Sequence, residues 1–89
     1  MKYIVPSSQF KRDLKRSLRQ GRDQSKLAVV MDALAEGKSL EARYHPHKLK
    51  GAYARYWECH IEPDWLLIYE TDAIEVFLVR LGTHSELFE

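Results

Sequence analysis

The sequence predicts an α+β fold of order β-α-α-β-β-β, with a helical hairpin packed on one face of an antiparallel sheet. Three observations lead there. Two stretches in the first half repeat apolar residues at helical spacing. Three stretches in the second half are rich in β-branched, aromatic and other apolar residues and are bounded by short turn signals. Only a few residues join the two helical stretches, so they pack antiparallel.

The elements follow in chain order. "KYIV" (2–5) is a short β-prone run closed by Pro6, which belongs at a strand end or an edge. Ser7 or Ser8 supplies an N-cap, after which Phe10, Leu14 and Leu18 form an apolar stripe. Gly21 ends this helix, and a second begins near Ser25, with Leu27, Val30, Met31 and Leu34 on one face and Gly37 as its stop. Residues 37–51 have no sustained period, and Pro46 keeps His45 out of helical angles, so this segment reads as an irregular basic loop.

Strand patterning then takes over. From Tyr53 to Ile61, alternation puts Tyr53, Arg55, Trp57, Cys59 and Ile61 on one side, and Tyr56, Glu58 and His60 on the other. Pro63-Asp64 forms a turn into the buried strand "WLLIY" (65–69), and "IEVFLVRLG" (74–82) is the last strand. If Phe77, Val79 and Leu81 face the helices, Arg80 points to the uncovered face beside Glu58 and His60. The 89 residues make one domain, 1–89.

Charge is divided unevenly. Residues 1–50 carry 12 Lys/Arg against 5 Asp/Glu, a net of +7; residues 51–89 carry 2 against 8, a net of −6. A basic first half suits a polyanionic partner, and equally suits a solvated helix face. No apolar run approaches the roughly 20 residues of a membrane span, and the N-terminus has no signal-peptide pattern. With Cys59 as the only cysteine, no intramolecular disulfide forms, and the expected setting is the cytoplasm.

The chemistry is narrowed by elimination. His45, His47, His60 and His84 invite a metal, but His45-Pro46-His47 is no compact helical pair, and neither H-E-x-x-H nor C-x-x-C occurs. No metal or other cofactor is expected. Cys59 on a core-facing position reads as an inert small hydrophobe. There is no G-x-S-x-G elbow and no phosphate-binding glycine loop. What survives is "ECHIEPDW", which gathers Glu58, His60, Glu62 and Asp64 at one strand end. Histidine both accepts and donates a proton near neutrality, and RNA brings its own nucleophile in the 2′-OH. Two readings stay open on the residues alone: ordinary strand-end polar groups, or an acid–base set for metal-free RNA cleavage.

"HKLKG", "ECHIEPDWLLIY" and "RLGTHSELF", in that order and spacing, resemble the YafQ-type toxins of the RelE/ParE superfamily, most densely over residues 47–88. That family comprises ribosome-dependent mRNA endonucleases of bacterial type II toxin–antitoxin modules. The resemblance implies catalytic roles for His47, His60, Asp64, His84 and Phe88, with Glu58, Arg80 and Trp65 as second-rank candidates. It casts His84 as general acid, Asp64 or His60 as general base, His47 as a positioning group, and Phe88 as a support for a base. His45 is a second histidine before the H-x-L-x-G motif, and spacing to Gly51 favours His47 for the role. The implied partners are a cognate antitoxin, the ribosome and mRNA, with no membrane; the free toxin is expected to be a monomer. Lys11, Arg12, Lys15, Arg16, Arg19, Lys48 and Lys50 are the expected contacts to RNA and ribosome. A gyrase-poisoning relative of the same fold, or a non-catalytic RNA- or antitoxin-binding module, is the alternative.

Overall fold

A computed structural model describes residues 1–88. The elements are β1 (Tyr3–Pro6), α1 (Ser8–Arg19), α2 (Gln24–Ala35), β2 (His47–Lys48), β3 (Trp57–Glu62), β4 (Trp65–Thr71), β5 (Glu75–Gly82) and α3 (His84–Phe88), with 3-10 turns at Ala42–Tyr44 and Gly51–Tyr53. The sheet order is β1-β5-β4-β3-β2. β3, β4 and β5 form the expected antiparallel meander, but β1 pairs parallel to β5, so the sheet is mixed. Three local features depart from expectation. The basic loop contributes the two-residue strand β2, the stretch from Tyr53 becomes β-strand only at Trp57, and a short helix closes the chain.

Ser7 is the cap of α1. Its Oγ accepts from Phe10 N at 2.9 Å and donates to the Val79 carbonyl at 2.9 Å, fastening the helix start to β5. The predicted stripe of α1 is partly redrawn. Phe10 is buried and Leu14 packs on the core margin, but Leu18 is 39% exposed, whereas Asp13 and Ser17 are wholly buried. The reason lies on β5. Past Pro6 that strand has no β1 neighbour, and the backbone of Leu81 needs partners. Asp13 Oδ2 accepts from Leu81 N at 3.0 Å, and Arg16 Nη2 donates to Leu81 O at 2.9 Å. Helix side chains thus replace a missing strand.

α2 is capped by Asp23 rather than Ser25; the Asp23 carboxylate accepts from Ser25 N at 2.9 Å. Its Leu27, Val30 and Leu34 meet Phe10, Cys59, Ile61, Trp65, Leu67, Tyr69, Val76, Leu78 and Leu81 in the main core. A second apolar cluster, Leu66, Ile68 and Leu87 with Leu49, Tyr56 and Val79, lies on the far side of the sheet. The face expected to be uncovered is therefore partly roofed by α3 and the 49–56 segment.

A register shift between Ile68 and Tyr69, opposite Leu78 and Arg80, corrects the predicted facing of β5. Val76, Leu78 and Leu81 take the helix side, and Val79 joins the far cluster. Such a bulge re-aims every side chain beyond it.

Candidate active site

Glu58 is the base of the site. β3 turns it away from the helices, and β2 lies beside it with His47 paired opposite. The carboxylate is only 4% exposed. Its Oε1 lies 3.3 Å from His47 Nε2 and 3.3 Å from His60 Nε2, so one oxygen sits beside two imidazoles. His47 Nδ1 lies 2.7 Å from the His45 carbonyl, so both nitrogens of His47 face oxygen acceptors.

His84 comes from the other end of the site. Thr83 Oγ1 accepts from Glu86 N at 3.2 Å and Glu86 Oε1 accepts from Thr83 N at 2.9 Å, a reciprocal cap that starts α3 at His84. Asp64, in the β3–β4 turn, accepts from His84 N through Oδ1 and lies 3.0 Å from His84 Nδ1 through the same oxygen. Those hydrogen bonds, from the backbone N–H first and the ring second, hold the Asp64 carboxyl below the usual carboxylate range. The His84 ring stands edge-on to His60 with centroids 5.8 Å apart, and Phe88 lies 6.3 Å beyond it. His47, His60, Asp64, His84, Phe88 and Glu58 thus lie together.

The other named residues fare differently. Trp65 is wholly buried, its Nε1 donating to Ser17 Oγ at 3.1 Å, so it anchors the hairpin in the core rather than lining the site. Arg80 does not meet Glu58 or His60; its Nε donates to Asp13 Oδ2 at 2.8 Å. Lys11, Arg12, Lys15, Arg19, Lys48 and Lys50 are all exposed at the surface. Arg16 is not available in the same way, being bound to Asp13 at 3.2 Å and Glu86 at 2.9 Å. Burial pushes the Cys59 thiol up to about 12, with the Glu58 charge adding to it, which makes it inert as expected.

Two supports escaped sequence reasoning. Arg22 donates to Glu62 at 3.1 Å and to the Asp64 carbonyl at 3.2 Å, tying the β3–β4 turn to the helical hairpin. Its only signal was one more positive charge. Glu86, by contrast, was legible as the fourth residue of a T-x-x-E box.

Spacing along the chain argues against a metal, yet folding changes the spacing. Glu58, His60 and His84 bring one ligand atom each within 4.8 Å of one another. Imidazole and carboxylate suit zinc or copper. The donor set fits such an ion, which would compete with proton transfer by His60 and His84.

The site is a histidine–carboxylate centre on the far face of a small α+β sheet, and the family the chain matches makes it a bacterial toxin of the type II toxin–antitoxin kind. Residues 2–89 match the family described as the bacterial toxin of type II toxin-antitoxin system YafQ, and the chain belongs to that family. It is 39% identical over 87 residues to the mRNA interferase toxin YafQ of Escherichia coli K12, covering 96% of this chain and 94% of that one. By that name the relative is an endoribonuclease. A copper-bound mutant toxin from Helicobacter pylori superposes with a TM-score of 0.95 at 38% identity, covering 99% of this chain and all of that one. The toxin of the E. coli DinJ–YafQ complex superposes at 0.92 with 34% identity over both full chains. Among the described residues no helix is long and apolar enough to cross a membrane.

Proposed function

We infer that this chain cleaves mRNA on the ribosome by metal-independent acid–base catalysis and is neutralised by an antitoxin that covers its cationic surface. The observation that carries the reading is the His60–His84 pair, centroids 5.8 Å apart, each with one ring nitrogen beside a carboxylate. His60 takes the proton from the 2′-OH as that oxygen attacks phosphorus. His84 delivers a proton to the 5′-oxygen as the P–O5′ bond breaks, leaving a 2′,3′-cyclic phosphate and a 5′-OH. Asp64 orients His84 and stays ionised. Its lowered proton affinity makes it the poorer base, so the choice between Asp64 and His60 falls to His60.

His47, set between the His45 carbonyl and Glu58, positions the site, with Lys48 and Lys50 next to it in sequence. Phe88, 41% exposed, offers a face for a base. Lys11, Arg12, Lys15 and Arg19 contact ribosomal RNA. The setting is the cytoplasm, and the free chain is a monomer. Primer extension on an mRNA, with and without ribosomes, tests the reading. Discrete 5′-OH ends in the ribosome reaction support it, and an intact message during verified ribosome binding favours the non-catalytic module.

A further inference from the structure

His60 borders two spaces, and only one of them is used by the chemistry above. On its other side lies a cavity of about 500 Å³ lined by Arg43, Tyr44, His45, His47, His60 and Glu62, among others. Neither His84 nor Phe88 lines it. Its volume falls within the roughly 300–1,000 Å³ of small-ligand sites.

The walls are flat and aromatic, with one guanidinium, Arg43, which also pairs with Glu41 at 3.2 Å. The Arg43 guanidinium lies 4.7 Å from the Tyr44 ring centroid and donates to Tyr44 Oη at 2.8 Å. The His45 ring is tilted against His60 with centroids 5.4 Å apart. His45 takes a left-handed backbone, φ 47°, the only non-glycine positive φ among the described residues. That conformation is costly for a residue with a Cβ. It follows the 3-10 turn and precedes Pro46, and it sets the ring beside His60. Glu62 is neutralised by Arg22 and Lys26, at 3.1 and 3.0 Å, so the cavity does not repel a nucleotide.

We propose that this cavity is a nucleobase subsite, holding the base of the nucleotide whose 2′-OH attacks. The proposal rests on the endoribonuclease reading. His60, the group that receives the 2′ proton, lines the cavity. His84, which protonates the departing 5′-oxygen, sits beside Phe88. The scissile phosphate therefore lies between two aromatic platforms. The leaving nucleotide stacks toward Phe88 and Tyr53, whose rings meet edge-on at 6.1 Å. The attacking nucleotide stacks in the His45 cavity, where aromatic and guanidinium planes accept an unstacked base.

The test combines protein and substrate changes on assembled ribosome complexes. His45→Gly removes the ring and keeps the left-handed backbone; Arg43→Ala removes the exposed guanidinium. Each should melt near the parent temperature. Each should lower kcat/KM by roughly 5- to 150-fold, the range of one stacked base. An mRNA carrying an abasic ribonucleotide 5′ to the cut keeps the 2′-OH and loses the base. It should impair the parent protein by a similar factor and the variants little further. An abasic residue 3′ to the cut should impair all three proteins alike. Equal loss from the 5′ abasic residue in parent and variants overturns the subsite while leaving cleavage intact. A parent protein that cuts no message overturns the endoribonuclease reading itself.

Discussion

One oxygen of Asp64 takes both the backbone N–H of His84 and its ring Nδ1, each at 3.0 Å. The carboxylate thereby fixes where α3 begins and which nitrogen of His84 is presented to the site. His84 is 57% exposed at its side chain, so its removal opens no cavity.

His84→Ala should melt close to the parent protein and bind ribosomes, while cleavage falls by roughly 10²–10⁴-fold, the range for one proton-transfer group. Asp64→Asn keeps an oxygen for the backbone N–H but loses the charge that orients the ring. Its rate should fall by up to about 10⁴-fold, the loss seen when an orienting aspartate becomes Asn. Single-turnover cleavage with parallel thermal melting reads both. Full activity in a folded Asp64→Asn variant would leave Asp64 a cap and nothing more.

The buried Asp13 should dominate acid stability. Burial works to raise its pKa, but hydrogen bonds from Arg80, Leu81 N and Gln9 overcome that and hold it below the ordinary value. The folded protein thus binds this proton less readily than the unfolded chain. Its contribution is complete above the ordinary carboxylate range near ~3.9 and disappears as pH falls through the folded value. Asp13→Ala should cost about 2–4 kcal/mol, toward the low side for a broken buried pair because Arg80 keeps solvent. Urea unfolding across a pH series reads this. A variant whose loss is the same at pH 3 as at pH 7 would contradict it.

The cationic face of α1 splits into two groups by what the side chains touch. Replacing Lys11, Arg12, Lys15 and Arg19 together should weaken ribosome binding and lower its salt slope by about one for each phosphate left without its cation. Melting should hardly change. Arg16→Ala should do the opposite, lowering melting through loss of its bonds to Asp13, Glu86 and Leu81 O. Equal salt slopes for parent and quadruple variant would return those charges to a solvated surface.

Sequence patterning carried the meander, both helices and the convergence of His60, Asp64 and His84, because strand alternation and chain-order motifs are local. Asp13 was hidden for a physical reason: apolar periodicity counts hydrophobes, and Asp13 is buried to satisfy a strand 67 residues away. Arg80 was misdirected because a single register shift beside Val79 leaves no mark in the alternation. His47 looked like loop because a two-residue strand exists only through its partner on β3. Trp65 followed a catalytic motif into the site by association, whereas its indole answers to Ser17.

Gly82 should prove a positioning residue. A Cβ there would stand 2.8 Å from Arg16 Nη2 and 2.9 Å from Glu86 Oε1, so those ends must move. Both are flexible, and the cost in stability should be modest, within the usual range of about 0.5–3 kcal/mol. Yet Glu86 caps α3, and His84 is its first residue. A displacement of about 1 Å at a reacting group can cost on the order of 10²-fold. Gly82→Ala should therefore lose activity out of proportion to its change in melting. Equal activity at a lowered melting temperature would make Gly82 a packing residue alone.

Metal ions separate the proposed chemistry from its rivals most cleanly. The mechanism uses the 2′-OH and two imidazoles, so a 2′-deoxynucleotide 5′ to the cut should block cleavage, and brief chelation that leaves ribosomes assembled should not. Glu58, His60 and His84 nevertheless make a donor set for zinc or copper. An ion held there would tie up two of the residues that move protons. Micromolar copper should then inhibit, and a chelator should restore the rate. Glu58→Gln removes the one carboxylate of that donor set, so it should weaken copper binding, and because Glu58 also lies beside His60 the uninhibited rate should fall as well. Binding of copper is read by calorimetry on the free protein and cleavage on ribosomes, so loss of one is not mistaken for loss of the other. Activation by the metal would overturn the acid–base mechanism, and cleavage of the 2′-deoxy message would remove its nucleophile.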